Sequence, residues 1–131
     1  MKDFHIARTA HSPEVDFRFS EHRLTLSGEA YPEDATAFFN PVLSALEQYL
    51  KSMDDCDIEF NFQLTYFNSA STKMLYRLFG LLNDSACTRN RVVLCWHHDV
   101  EDDTVLEFGE SVHDDFNALE FRPIAADLAA L

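Results

Sequence analysis

Residues 58–73 read IEFNFQLTYFNSASTK, and this stretch decides the fold. From Ile58 to Tyr66 apolar and polar residues alternate, as they do in a strand that buries one face. A polar junction follows, and beyond it an apolar stripe recurs at helical spacing to about Thr88. The stripe consists of Met74, Leu75, Leu78, Phe79, Leu81 and Leu82. The sequence therefore predicts a strand that leads directly into a helix.

Shorter strand-like runs occupy residues 4–28, on the N-terminal side of this stretch. Their apolar positions alternate with polar neighbours and are Val15, Phe17, Phe19, Leu24 and Leu26. A polar turn at residues 20–22 separates the two runs. The pattern predicts an N-terminal hairpin.

A helix is predicted next, because residues 38–50 carry apolar side chains at helical spacing. Pro41 lies inside this range, and proline is tolerated at the first helical position, where its missing N–H has no partner. With Asn40 as the cap, we expect the main helix to begin at Pro41 after an opening turn.

The C-terminal part continues the alternation of strands and helices. Residues 91–97 hold a continuous apolar run, which is typical of a strand covered on both faces. A third helix is predicted over residues 105–116, and a last short strand over 119–124 before an Ala-rich tail. This order predicts an α/β fold, in which a mixed sheet with an N-terminal hairpin packs against about three helices. We expect residues 1–131 to form one domain.

The charge balance excludes several classes of partner. The chain has 10 Lys and Arg against 23 Asp and Glu, a formal net charge of −13. Nucleic acids and anionic membranes attract clustered Lys and Arg, so neither is expected to bind, whereas a basic protein surface is easier to accommodate.

No apolar run approaches the roughly 18 residues of a membrane helix, and the N-terminal segment lacks the pattern of a secretory signal. We expect a cytoplasmic protein.

Two sets of side chains are candidates for enzyme chemistry. The 3 cysteines are odd in number, lack CxxC spacing and lie in or beside apolar segments, so we expect inert, buried free thiols. Residues 97–103, HHDVEDD, combine side chains that bind divalent metals. If the strand runs to its end, however, His97 and His98 point to opposite faces, and the spacing matches neither HExxH nor an EF-hand loop. A metal-dependent enzyme is therefore the rival hypothesis, and we predict a non-enzymatic protein without a cofactor.

The junction at residues 68–73, NSASTK, is the other candidate site. A helix that begins there presents unpaired N–H groups and the positive end of its dipole to an anion. A phosphate on Ser69 would add about −1.5 to −2 charge at this position, within reach of Lys73. Asn and Ser are also the ordinary N-cap residues, and by the residues alone that structural role is the more common one. Ala70 stands three positions before Lys73, which excludes an SxxK nucleophile.

Six short segments, spread in order over most of the chain, are informative when taken together. They are residues 28–33 (GEAYPE), 39–41 (FNP), 66–73 (YFNSASTK), 96–99 (WHHD), 101–103 (EDD) and 107–110 (EFGE). With this order and spacing the segments together resemble those of SiaC-type regulatory phosphoproteins.

The resemblance implies a fold similar to STAS and anti-sigma-factor-antagonist domains, and a role in bacterial signalling without catalysis. It implies that the unphosphorylated protein binds and activates a diguanylate cyclase, which controls cyclic-di-GMP and biofilm formation. A partner kinase would phosphorylate the hydroxyl directly after the motif's Asn68, which here is Ser69, and a PP2C-like phosphatase would reverse this step. Partner contacts are then expected at Asn68, Ser69, Ser71, Thr72 and Lys73.

The junction departs from the family pattern in two positions. Where the family usually reads Asn-Thr-Ser-Ser, this chain reads Asn68-Ser69-Ala70-Ser71. Ser69 keeps the hydroxyl but lacks the methyl group, which leaves Ser71 or Thr72 open as a second acceptor. A related alternative is a partner-switching module like an anti-sigma-factor antagonist, which would bind an anti-sigma kinase in place of a cyclase.

Overall fold

A mixed sheet of six strands is the framework of the protein, and the computed structural model describes residues 2–126. The strands are β1 (Phe4–Ile6), β2 (Glu14–Arg18), β3 (Arg23–Ala30), β4 (Asp57–Phe67), β5 (Arg91–Asp99) and β6 (Glu120–Ala126). They lie in the sheet in their chain order. β1, β2 and β3 pair antiparallel, whereas β3 to β6 pair parallel. From position 127 onward, the predicted Ala-rich tail falls outside the described residues.

Three helices connect the parallel strands. α1 (Ala35–Ser52) joins β3 to β4, α2 (Ser69–Thr88) joins β4 to β5, and α3 (Asp103–Asp115) joins β5 to β6. Each helix leads from one parallel strand to the next strand on the same side in the sheet. Because such crossovers are right-handed, all three helices lie on one face of the sheet. The predicted fold class is confirmed. Within residues 2–126, the helices are too short or too polar to cross a membrane.

The alternation in β4 separates the two faces of the sheet. Its apolar residues from Ile58 to Leu64 are at most 1% exposed, whereas the polar residues between them are partly exposed. Phe62 stacks on Trp96 of β5 with ring centroids 3.8 Å apart. Phe79 of α2 lies within 6.1 Å of both rings, measured between centroids. The core therefore lies between the sheet and the helices, and on the opposite face the polar residues of β4 are partly exposed.

α1 begins earlier than the sequence indicated. Its cap is Asp34, whose side chain accepts a hydrogen bond from the N–H of Ala37 at 3.0 Å. Pro41 lies inside the continuous helix, so the predicted cap at Asn40 is wrong. Proline removes the N–H that would bond to the carbonyl of Ala37. Because Ala37 and Pro41 are both exposed, water can satisfy that carbonyl.

Two strand predictions also need correction. Phe19 lies in a one-turn 3₁₀ helix (Phe19–Glu21) and not in a strand, and His22 closes the hairpin turn with φ of +54°. β5 is not covered on both faces, because Val93 and His97 are partly exposed on the face away from the helices. The apolar run in β5 thus reflects its central place in the sheet more than a second covering layer.

All three helices begin at the same edge of the sheet. β3, β4 and β5 are parallel, so their carboxyl ends meet there, and we call this the carboxyl edge. The caps are Asp34, Asn68 and Asp102, and each accepts a hydrogen bond from the backbone N–H three residues later. The carboxyl edge therefore holds the junction that the sequence singled out.

Candidate functional site

The first turn of α2 is built around Asn68. Its N–H donates to the carbonyl of Ala30 in β3 at 3.1 Å, which ties the start of the helix to the sheet. Its side-chain oxygen accepts from the N–H of Ser71 at 2.9 Å. Its carbonyl accepts from the N–H of Thr72 at 2.9 Å and from the Thr72 hydroxyl at 3.0 Å. Asn68 is therefore the cap that determines where Ser69 projects.

The three hydroxyl groups of this turn have different surroundings. Ser69 is exposed as the first residue of the helix. Ser71 is 0% exposed, and its Oγ has no hydrogen-bond partner within residues 2–126. Thr72 is half-buried, and its hydroxyl donates to Asn68. Ser69 thus has the most accessible hydroxyl of the three.

The burial of Ser71 corrects one expectation. A side chain with no exposure cannot contact a partner or enter a kinase active site while the first turn stays closed. Ser71 therefore leaves the set of direct contacts and is disfavoured as a second acceptor. Asn68, Ser69, Thr72 and Lys73 keep at least partial exposure and remain predicted contact residues.

The start of α2 suits a phosphate on Ser69. As the first two helical residues, Ser69 and Ala70 have no intrahelical acceptor for their N–H groups, and the positive end of the helix dipole lies there. Lys73 is exposed one turn later, and residues four apart are neighbours on a helix surface. The arrangement can accept added negative charge without disturbing the core.

An aromatic pair, one of whose members precedes Ser69 by three residues in the chain, was missed by the sequence reasoning. Tyr66 is 52% exposed, although it continues the alternation of the buried face of β4. Its ring meets Tyr31 edge-to-face at a centroid distance of 5.6 Å, and Tyr31 meets His11 in the same way at 5.3 Å. Tyrosines are enriched in protein interfaces. The sequence did offer a signal for this pair, because two of the six family-like segments, residues 28–33 and 66–73, contain Tyr31 and Tyr66 respectively.

The rival metal site does not assemble. β5 runs to Asp99, so His97 and His98 lie on opposite faces of the sheet, as expected for a continuous strand. The Nε2 atom of His97 lies 3.1 Å from Oδ1 of Asn61, and burial lowers the pKa of this imidazole. His98 is buried, with Nδ1 3.1 Å from the carbonyl oxygen of Asp99. Within residues 2–126, no group of three His, Cys, Asp or Glu is placed to hold a metal ion.

The cysteines differ from one another more than expected. Cys95 is buried, and burial raises the pKa of its thiol, which makes it a poor nucleophile at neutral pH. Cys56 is half-buried. Cys87 is exposed on α2, so the expectation that every thiol is buried is wrong for this residue.

Comparison with known proteins assigns the chain to a family. The model of the SiaC family of regulatory phosphoproteins matches residues 6–126. This chain belongs to the SiaC family. The matched range includes all six segments on which the resemblance rested, so the predicted family membership is confirmed. A similar curated relative is an uncharacterized protein of Pseudomonas aeruginosa (strain UCBPP-PA14), 29% identical over 115 residues, or 88% of this chain and 90% of the relative.

Solved structures of SiaC share the fold. SiaC of Pseudomonas aeruginosa superposes with a TM-score of 0.86 at 28% identity, over 96% of this chain and 100% of that one. A second structure, the diguanylate cyclase SiaD in complex with its activator SiaC from Pseudomonas aeruginosa, gives a TM-score of 0.87 at 28% identity. It covers 95% of this chain and 100% of the SiaC chain. The SiaC of that complex is thus described as an activator of a diguanylate cyclase.

Proposed function

We propose that this chain is a non-enzymatic switch that binds and activates a diguanylate cyclase while Ser69 is unphosphorylated. A partner kinase phosphorylates Ser69 and disables the activator, and a PP2C-like phosphatase restores it. The output is the level of cyclic-di-GMP and, through it, biofilm formation. We further propose that the chain acts in the cytoplasm as one domain.

One observation carries the proposal: the accessible hydroxyl of the capped turn belongs to Ser69. The neighbouring Ser71 is buried, and the hydroxyl of Thr72 is engaged by Asn68. A regulatory phosphoprotein needs an acceptor that a kinase can reach without unfolding the protein. Membership of a family described as regulatory phosphoproteins, and the cyclase complex of a structural neighbour, support the same conclusion.

The switch works through local charge. A phosphate adds about −1.5 to −2 charge to the carboxyl edge, three residues after the exposed Tyr66 in the chain. A partner surface that docks around an uncharged Ser69 then meets both added bulk and added charge. Because the helix start tolerates the phosphate, the fold persists and only the surface changes.

The test compares Ser69→Asp and Ser69→Ala with the wild-type chain, using a diguanylate cyclase of the same organism. The Ser69→Asp variant should bind the cyclase at least about tenfold more weakly, equivalent to about 1.4 kcal/mol, and fail to stimulate cyclic-di-GMP synthesis. The Ser69→Ala variant should activate the cyclase and resist phosphorylation. Mass spectrometry of the chain from its own cells should find phosphate on Ser69.

Ser44→Asp is the matched control. Ser44 is an exposed serine in the middle of α1, away from the carboxyl edge, so the same change of charge there should leave activation intact. The proposal is wrong if both Ser69 variants activate the cyclase like the wild type and no phosphate is found on Ser69.

A further inference from the structure

Two basic side chains lie next to each other on α2 and, like the exposed Lys2 near the N-terminus, make no ion pair within residues 2–126 of this acidic chain. Most of the 10 Lys and Arg residues are engaged elsewhere. The ion-paired ones are Arg18, Arg23, Lys51, Arg89, Arg91 and Arg122, and Arg8 donates to the hydroxyl of Ser27. Within residues 2–126, Lys73 and Arg77 have no carboxylate oxygen closer than 4.0 Å, and both are exposed. They mark a local reversal of the surface charge.

Lys73 and Arg77 lie in line with Ser69. They follow it by four and eight residues, which places all three on one side of α2. Residues four apart on a helix are neighbours, with about 5–6 Å between their Cβ atoms. Ser69 and the two cations therefore form one continuous stripe.

The stripe borders a groove between the first turns of α1 and α2, which we call the α1–α2 groove. Its volume is about 710 Å³. Lys73 and Arg77 line it from α2, and Glu33 and Asp34 line it from the start of α1. The remaining lining residues are Ala35, Thr36, Ala70 and Met74. The groove thus combines a basic wall and an acidic wall that do not pair with each other.

Building on the proposed function, we infer that an acidic segment of the protein partner docks in the α1–α2 groove, with its carboxylates on Lys73 and Arg77. Charge complementarity supports this occupant, because these cations have no ion pair within residues 2–126 although Glu33 and Asp34 line the same groove. Asp34 is also committed to capping α1. A segment with carboxylates on one side is attracted to the basic wall and repelled by the acidic one, so the groove determines its orientation.

Phosphorylation of Ser69 then acts by competition for Lys73. A phosphate at Ser69 lies one turn before Lys73, and an acid four residues before a base is the favourable order on a helix. The phosphate pairs with this cation and repels the carboxylates of the partner. Phosphate and acidic segment therefore exclude one another around the same side chain.

The experiment reverses the charge of the basic wall. The variants are Lys73→Glu, Arg77→Glu and the double variant, titrated calorimetrically with the cyclase that the unphosphorylated wild-type chain activates. The double variant should bind at least about tenfold more weakly. Lys51→Glu is the matched control, because Lys51 is an exposed lysine near the end of α1 and undergoes the same change of charge. Its affinity should stay within about twofold of the wild type.

Ser69→Asp is measured beside these variants to separate the two ideas. Weakened binding of Ser69→Asp, with unchanged binding of the double variant, would overturn docking of an acidic segment and leave the proposed function standing. Equal losses in Lys73→Glu and in Lys51→Glu would also overturn it, because net charge alone would then be the cause. Wild-type affinity of Ser69→Asp would instead count against the proposed function.

A second readout needs no partner. In the chain phosphorylated on Ser69, pairing with Lys73 lowers the second pKa of the phosphate, and ³¹P NMR can follow its titration. Lys73→Gln should raise that pKa, and Lys51→Gln should not change it. An unchanged pKa in Lys73→Gln would overturn the competition for Lys73.

Discussion

At the scale of single residues, Ser71 is the least expected feature of the site. Its hydroxyl is fully buried and has no hydrogen-bond partner within residues 2–126, and an unsatisfied buried polar group costs about 1–3 kcal/mol. We therefore expect Ser71→Ala to raise the free energy of unfolding by about 1 kcal/mol in urea denaturation, because the backbone N–H that binds Asn68 remains. Phosphorylation of Ser69 should persist in this variant.

Ser85 provides the matched comparison on the same helix. It is also buried, but its hydroxyl accepts a hydrogen bond from the side-chain amide of Asn90 at 3.0 Å. Ser85→Ala should therefore lower the free energy of unfolding by about 1 kcal/mol. A similar loss in Ser71→Ala would mean that the Ser71 hydroxyl makes a stabilising interaction after all.

The burial of Ser71 could have been deduced from spacing, whereas the exposure of Tyr66 could not. Ser71 precedes Met74, Leu75 and Leu78 by three, four and seven residues, which places it on the buried stripe of α2. Tyr66 fits the buried alternation of β4 equally well. It is exposed because the pairing with β3 shifts register between Gly28 and Glu29, so that Thr65 is skipped and Phe67, rather than Tyr66, packs against the core. Such a bulge does not show in the alternation of a single strand.

At the scale of elements, the packing of α3 on β5 depends on Gly109. A Cβ atom there would lie 2.5 Å from Nε1 of Trp96, whose ring is fully buried and donates to the carbonyl of Val105 at 2.9 Å. Neither the ring nor the backbone can yield easily. We expect Gly109→Ala to lower the free energy of unfolding by about 1–3 kcal/mol, measured by urea denaturation.

Gly80→Ala is the control for the same substitution in a helix. A Cβ atom at Gly80 would meet only Phe116, at an ordinary 3.9 Å. Alanine is the better helix former, so this variant should gain about 0.5–1 kcal/mol of stability. If Gly109→Ala also gained stability, the close approach to Trp96 would not limit the packing of α3.

The elements also show where pattern reasoning succeeds and where it fails. Periodicity predicted β4 and α2 because one face of each is buried along nearly its whole length. It misplaced the start of α1, because proline is preferred in the first helical turn and the prediction therefore put the cap at Asn40, whereas the observed cap is Asp34. An exposed Pro41 is tolerated inside a long helix when packing of the rest compensates for one lost hydrogen bond.

At the scale of the whole molecule, the net charge of −13 opposes compaction, since like charges lie closer together in the folded chain than in the unfolded one. Screening lengths fall from about 30 Å at 0.01 M salt to about 8 Å at 0.15 M. We expect sodium chloride to raise the melting temperature over this range, measured by circular dichroism. The exposed ion pairs that salt weakens are individually worth about 0–1 kcal/mol and should not reverse this trend.

The same salt should weaken partner binding, because it screens the attraction between the basic wall of the α1–α2 groove and an acidic segment. Stability and affinity should therefore respond to salt with opposite signs. In the Lys73→Glu, Arg77→Glu double variant the gain in melting temperature should remain, while the salt dependence of the residual affinity should become flatter than that of the wild type. A double variant that keeps the wild-type salt dependence would place the electrostatic attraction elsewhere on the molecule, whatever its effect on affinity.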